Sequence, residues 1–141
     1  MTIIAYRDGV LASDSLIVEC DTAWAHTKKI IKTSEGYLAG ACGDLSFLRE
    51  FLDWVQLEDR YQYKAPKFSD ANQALIVQSK QIVHFYCGKN PTLLSVKYIA
   101  IGNGCDIALG AFWKGANAHQ AVEAAIAHNV NCGGNIDTLE L

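Results

Sequence analysis

The sequence predicts an α+β domain in which antiparallel sheets lie between helical layers. Its predicted elements run as hairpins, one helix, more strands, two helices and a last strand, an order that segregates sheet from helix instead of alternating them. Several predicted strands are apolar on both faces, and such strands need covering layers on both sides. The chain has 141 residues, 50% of them hydrophobic and 19% charged. That is enough to bury one sizeable core and too little for two, so residues 1–141 are read as a single domain.

Each element has its own reason. Residues 2–7 meet Asp8-Gly9, a strong short hairpin signal, before residues 10–14 return. Residues 29–33 (KIIKT), a Ser34-Glu35-Gly36 turn and residues 37–42 (YLAGAC) form a second hairpin. Asp44 is placed to cap a helix whose apolar positions Leu45, Leu48, Phe51, Leu52 and Val55 recur at helical spacing. Residues 58–70, charged and aromatic and broken by Pro66, read as a connector. Residues 74–77 and 81–86 flank a Gln78-Ser79-Lys80 turn, and residues 96–101 (VKYIAI) add a strand after a Gly88-Lys89-Asn90-Pro91 loop. Helices follow at 107–114 and 117–129, the second ended by polar residues and Gly133-Gly134, and a final strand spans 135–139.

Charge and cysteine usage exclude several classes. A net charge of −3 offers no basic face for nucleic acid or an anionic membrane surface. No apolar run reaches the roughly 20 residues of a membrane span, and the N-terminus lacks the order of a signal peptide. The five cysteines are scattered and never form a C-x-x-C pair, which argues against a disulfide framework or structural zinc and fits a reducing cytosol. His26, His84, His119 and His128 show no ligand spacing, so no metal is expected. Gly102-Asn103-Gly104 lacks the further glycine and lysine of a phosphate loop, and no cofactor is expected. Cys42, Cys105 and Cys132 read as small core residues, and Trp24, Trp54 and Trp113 as core or interface residues.

The chemistry suggested by the first fourteen residues starts at Thr2, directly behind Met1. Removal of the methionine would place a hydroxyl and an α-amine on one residue, bringing nucleophile and base together without a histidine. Taken singly, the residues are ordinary. Threonine is common in strands, Lys28-Lys29 could be a solvated pair, and Asp14 before Ser15 could be a turn aspartate.

Their ordered combination is more specific. Thr2-Ile3-Ile4-Ala5, Asp8-Gly9-Val10-Leu11-Ala12-Ser13-Asp14, Thr27-Lys28-Lys29-Ile30, Ala39-Gly40-Ala41-Cys42-Gly43, Ala100-Ile101-Gly102-Asn103-Gly104 and Gly133-Gly134 together resemble proteasome β subunits and the bacterial HslV peptidase. The resemblance spans nearly the whole chain and is densest over residues 1–50. It implies the N-terminal-nucleophile hydrolase fold, a four-layer αββα sandwich of two antiparallel sheets between two helical layers. It further implies Thr2 as nucleophile, the Thr2 amine as proton acceptor, Asp14 and Lys29 as the charged pair beside it, Gly43 as the oxyanion donor through its backbone N–H, and Ala41 as the floor of a roomy specificity pocket. A neighbouring ammonium would lower the α-amine from its usual range near 7.7 to 8.0 and leave a basic fraction near neutral pH.

Three departures from the family pattern shape the expectations. Family chains begin Thr-Thr-Ile, so a direct alignment puts Met1 on the nucleophile position. Placing Thr2 there instead shortens the hairpin by about two residues on each side of Asp8-Gly9, which preserves register and facing. The family's serine and aspartate beside the terminal amine align with Asn103 and Asn129, whose carbonyls can accept hydrogen bonds without bringing charge, and its second serine aligns with Cys132. Residues 58–70 are too short and irregular for the second helix of the family, so one helix of the usual set is missing.

The expected function is therefore threonine-dependent hydrolysis of amide or peptide bonds, with a peptide or unfolded protein as substrate. The alternatives are a catalytically inactive structural or assembly subunit of the same fold and an amidase acting on small molecules. Tyr61, Tyr63 and Phe68 are expected to be exposed aromatics that a partner covers, in a homo-oligomer forming a single closed ring more readily than a stacked double ring. Nothing in the sequence singles out an unfoldase partner.

Overall fold

The computed structural model describes residues 2–87 and 90–141. Met1 and the Gly88-Lys89 half of the predicted loop lie outside the described residues. The protein is α+β, with three α-helices and several antiparallel sheets among the described residues.

The first strand, β1 (Ile3–Arg7), turns through Asp8-Gly9 into β2 (Val10–Ser13), with Ile4 opposite Ser13 and Arg7 opposite Val10. Both turn residues are left-handed, at φ 51° and 86°, the geometry whose twist matches that of paired strands. A second hairpin, β3 (Leu16–Glu19) and β4 (Thr22–His26), forms a separate two-stranded sheet. It is not among the predicted strands. Its turn is Cys20-Asp21, again left-handed at both positions (φ 50° and 58°) but without a glycine to announce it.

β5 (Ile30–Lys32) and β6 (Leu38–Cys42) form the predicted second hairpin, and α1 (Leu45–Val55) follows. β7 (Gln73–Ser79), β8 (Ile82–Cys87) and β9 (Pro91–Ser95) complete a five-stranded sheet in the order β5-β6-β7-β8-β9. β9 is not among the predicted strands: its Pro91 falls in the predicted loop and residues 92–95 carry no assignment. It is an edge strand that opens on a proline, one of the places a sheet tolerates a missing N–H. β10 (Tyr98–Gly102) and β11 (Asp137–Glu140) flank the first hairpin in a four-stranded sheet, β10-β1-β2-β11, and α2 (Cys105–Trp113) and α3 (Ala118–His128) lie between them in sequence.

Strand periodicity explains the packing. Ile4 and Tyr6 of β1 face Leu38, Leu75 and Val77 of the other sheet, whereas Ile3 and Ala5 face Phe112, Ala121, Val122 and Ala125 of α2 and α3. Ala39 and Ala41 of β6 face Phe47, Leu48, Phe51 and Leu52 of α1. The central strands β1 and β6 are thus buried on both faces, as their apolar composition requires. No helix among the described residues is long and apolar enough to cross a membrane.

Residues 58–70 hold a single 3-10 turn, Arg60–Gln62, and are tied firmly to α1. The Arg60 side chain is buried, its guanidinium 3.2 Å from both Glu35 carboxylate oxygens and 4.9 Å from the centre of the Tyr61 ring, and its carbonyl accepts the Trp54 indole N–H at 3.0 Å. Phe68 is not an exposed aromatic. It stacks on Tyr86 at 5.5 Å and meets Phe47 edge-on at 4.8 Å, completing the core beneath α1. Tyr61 and Tyr63 do reach the surface, at 70% and 59% exposure. Trp24 and Trp113, at 56% and 79%, lie outside the core, and Trp54 within it.

Phe51 is fully buried and touches the rings of Phe47, Trp54, Phe68 and Tyr86. Phe51→Ala is expected to lower unfolding free energy by about 3–5 kcal/mol in a urea titration, because the cavity it leaves has rigid aromatic walls.

Candidate active site

The hairpin β1–β2 places Asp14 directly beyond β2, where its N–H donates to the Ile3 carbonyl at 3.3 Å. Asp14 thus pairs with Ile3, and Thr2 is the residue just before it, immediately ahead of the first strand. The carboxylate is fully buried and every contact it makes is a donor. Oδ1 accepts the Thr2 hydroxyl at 2.5 Å, the Lys29 ammonium at 2.9 Å and the Ile3 N–H at 3.1 Å, while Oδ2 accepts the Gly133 N–H at 3.0 Å. The turn-aspartate reading of Asp14 is thereby set aside, and Lys29 is buried, not solvated.

Lys29 stands just before β5 and donates also to the Leu16 carbonyl at 2.6 Å. Burial pushes its ammonium below the ordinary 10.5, with the Asp14 charge and hydrogen bond acting in the opposite direction. The protonated form donates to at least two close acceptors, the Asp14 carboxylate and the Leu16 carbonyl. Nearby, burial raises the Cys42 thiol to about 12 and the Cys132 thiol to about 11. Both are therefore thiols at neutral pH, inert as nucleophiles. Cys105 is only half-buried, a partial departure from the core role expected of it.

These groups open on a cleft of about 650 Å³. Thr2, Lys29, Ala41, Gly43 and Asn103 all line it, on strands and loops of both larger sheets. One wall is the unpredicted strand β3, and another is the start of α1, where Leu45 is 41% exposed to the cleft although its spacing had placed it in the core.

Gly43 has φ 120°, and a Cβ there would collide with the Asn72 side chain, whose Oδ1 accepts the Asp44 N–H at 2.9 Å. Its missing side chain thus makes room for the residue that caps α1, a reason different from the expected approach of a substrate carbonyl. Asp44 itself makes no side-chain cap.

Gly102, at φ 96°, packs so tightly on Thr2 that a Cβ would strike the Thr2 carbonyl group. The Gly104 N–H donates to that carbonyl at 3.4 Å. Asn129 is outside the cleft lining. Its Nδ2 donates to the Asn103 carbonyl at 3.0 Å and its Oδ1 accepts the Asn131 N–H at 2.9 Å, so its amide braces the Asn103 loop from behind. Gln73 lines the cleft and carries no sequence signal of its own.

The buried pair predicts a distinctive stability pattern. Asp14→Ala leaves the Lys29 ammonium buried without its carboxylate and is expected to cost about 3–5 kcal/mol. Because the folded-state value of Lys29 lies below 10.5, the native state holds fewer protons than the unfolded state in the window just under 10.5. Its contribution therefore becomes more favourable as pH rises through that window, and the full penalty applies below it. Urea titrations of wild type and Lys29→Met should diverge in favour of wild type as the pH is raised from neutral towards 10.5; a constant difference would contradict the assignment.

Two solved structures share this architecture over nearly the whole chain. The BPH protein of Thiobacillus denitrificans in complex with epoxomicin superimposes with a TM-score of 0.72 at 18% identity, covering 99% of this chain and 97% of that one. A second structure of the same BPH protein gives a TM-score of 0.72, 18% identity and coverage of 99% and 96%. No family model and no curated protein sequence matches the chain. At this identity the likeness speaks for the fold: this chain is built as the BPH protein is, from end to end.

Proposed function

We propose that the protein is a proteasome-like N-terminal-nucleophile hydrolase, with the four-layer αββα sandwich of that family, that cleaves amide bonds in peptides through Thr2. The observation that carries this reading is the convergence of the Thr2 hydroxyl and the Lys29 ammonium on one buried oxygen of Asp14, at the wall of a cleft. The epoxomicin bound to the BPH protein adds a chemical hint in the same direction. Scattered reduced cysteines fit a cytosolic setting.

In this mechanism, loss of Met1 frees the Thr2 amine. The amine takes the hydroxyl proton as Oγ1 attacks the substrate carbonyl carbon, and the carbonyl π electrons move to oxygen. The Gly43 N–H donates to that oxyanion. Collapse of the tetrahedral species breaks the C–N bond, and the protonated amine returns its proton to the departing nitrogen. A water then attacks the Thr2 ester with the same amine as base, releasing the acid and restoring the hydroxyl. Lys29 stays charged throughout, held by Asp14 and the Leu16 carbonyl, and its field favours the neutral amine and the negative oxygen.

Thr2→Ala is expected to abolish hydrolysis of peptide amides with the fold intact, and Thr2→Ser to retain part of it, since hydroxyl and amine both persist. Intact-mass measurement should show a chain beginning at Thr2, and incubation with epoxomicin should add one molecule of the compound to wild type but none to Thr2→Ala. A retained methionine with no adduct would favour the inactive structural subunit; turnover of small amides alone would favour an amidase.

We also propose assembly into a homo-oligomeric ring. Tyr61, Tyr63 and Leu57 are exposed beside the 3-10 turn, and Leu109, Trp113 and Val130 beside α2 and α3, a pair of apolar surfaces suited to side-by-side packing. Native mass spectrometry at micromolar concentration is expected to report a single closed ring; monomer alone would refute assembly, and twice the ring mass would show that stacking survives the short 58–70 segment.

A further inference from the structure

We infer that Gln73 is a positioning residue, which clasps the strand end behind Thr2 to the strand end that leads into Gly43 and so sets the width of the catalytic cleft. The inference rests on the reading of Thr2 as nucleophile.

Gln73 opens β7, in the five-stranded sheet, and pairs across β6 with Cys42. Its side chain crosses to the other sheet. Oε1 accepts the Gly102 N–H of β10 at 3.3 Å and lies 3.9 Å from the Cys42 thiol, which can donate to it. Gly102 is the residue whose backbone presses on the Thr2 carbonyl, and Cys42 immediately precedes Gly43. One amide oxygen therefore links the wall that holds the nucleophile to the wall that holds the oxyanion donor.

The chemistry of the link is specific. A backbone N–H can only donate, so the oxygen of the Gln73 amide must face Gly102, and the Cys42 thiol beside it then serves as a second, weaker donor to the same oxygen. Burial keeps the Cys42 thiol protonated, with a value of about 12, which preserves it as a donor at working pH. The left-handed turn at Gly102 carries the chain past Thr2 without a side chain to wedge the strands apart. Without the clasp, β10 would depend more heavily on apolar packing against the five-stranded sheet at this end. That packing tolerates sliding of a fraction of an ångström, and displacements of about 1 Å at a reacting centre cost roughly 100-fold in rate.

The test compares Gln73→Leu, which removes the acceptor at similar size, with Gln73→Glu, which keeps an acceptor oxygen and loses the NH2. Hydrogen exchange at the Gly102 amide should speed up in Gln73→Leu and stay slow in Gln73→Glu. On a short peptide substrate, kcat of Gln73→Leu should fall roughly 10- to 100-fold with KM nearly unchanged, and Gln73→Glu should recover most of it. Wild-type kcat in Gln73→Leu, a Gly102 amide that stays protected there, or a Gln73→Glu protein as impaired as Gln73→Leu would each overturn the inference. A wild-type protein with neither turnover nor an epoxomicin adduct overturns the Thr2 reading and the kinetic consequence together, and the exchange rate at Gly102 then still decides whether the clasp exists.

Discussion

The burial of one carboxylate organises the N-terminal half of the site. Asp14 is out of contact with water, and an isolated charge there would be prohibitively costly, so its two oxygens must be saturated by donors. The four that saturate it come from Thr2 and Ile3 at the first strand, Lys29 at the start of β5, and Gly133 in the loop after α3. Segments separated by more than a hundred residues in sequence are thereby held to one point. A chain that satisfied Asp14 in any other way would have to move the first strand or that loop.

The same requirement gives the cleft its chemical character. Two of the donors on Asp14 are the hydroxyl and the ammonium that a nucleophilic site would use, so the network that stabilises the fold also fixes the groups on which the proposed reaction would depend. Lys29 is held between a carboxylate and a carbonyl, which keeps a desolvated cation in a single place. Tight steric contacts do the rest. Gly43 and Gly102 both line the cleft, each against a neighbour that would exclude any side chain.

Much of this was legible in the chain. Asp8-Gly9 announced its hairpin because left-handed turns favour those residues, and the Thr2, Asp14 and Lys29 trio was marked out by the family resemblance of the motifs that contain it. The hairpin β3–β4 was silent because Cys20-Asp21 adopts left-handed geometry without glycine, and β9 because its proline reads as loop wherever the strand's edge position is unknown. Phe68 and Leu45 were each assigned to the wrong environment. The surface each meets belongs to another element: Tyr86 of β8 for the first, and the cleft facing β3 for the second. Asn129 aligned with an amine-binding position, yet its amide is taken up by the backbone of neighbouring loops.

By itself, then, the sequence determined the α+β class, the first two predicted hairpins and the first helix, because periodicity and turn chemistry are local properties, and its short ordered motifs, through their family resemblance, named a candidate nucleophile with its charged pair. The tertiary structure alone decided that Asp14 Oδ1 is shared by three donors, that the missing side chain of Gly43 serves Asn72, and that Gln73 joins the two sheets beside Thr2. Those facts depend on how closely two sheets approach and on which donors reach a buried acceptor. Such distances are set by packing across the whole core, and no local stretch of residues encodes them.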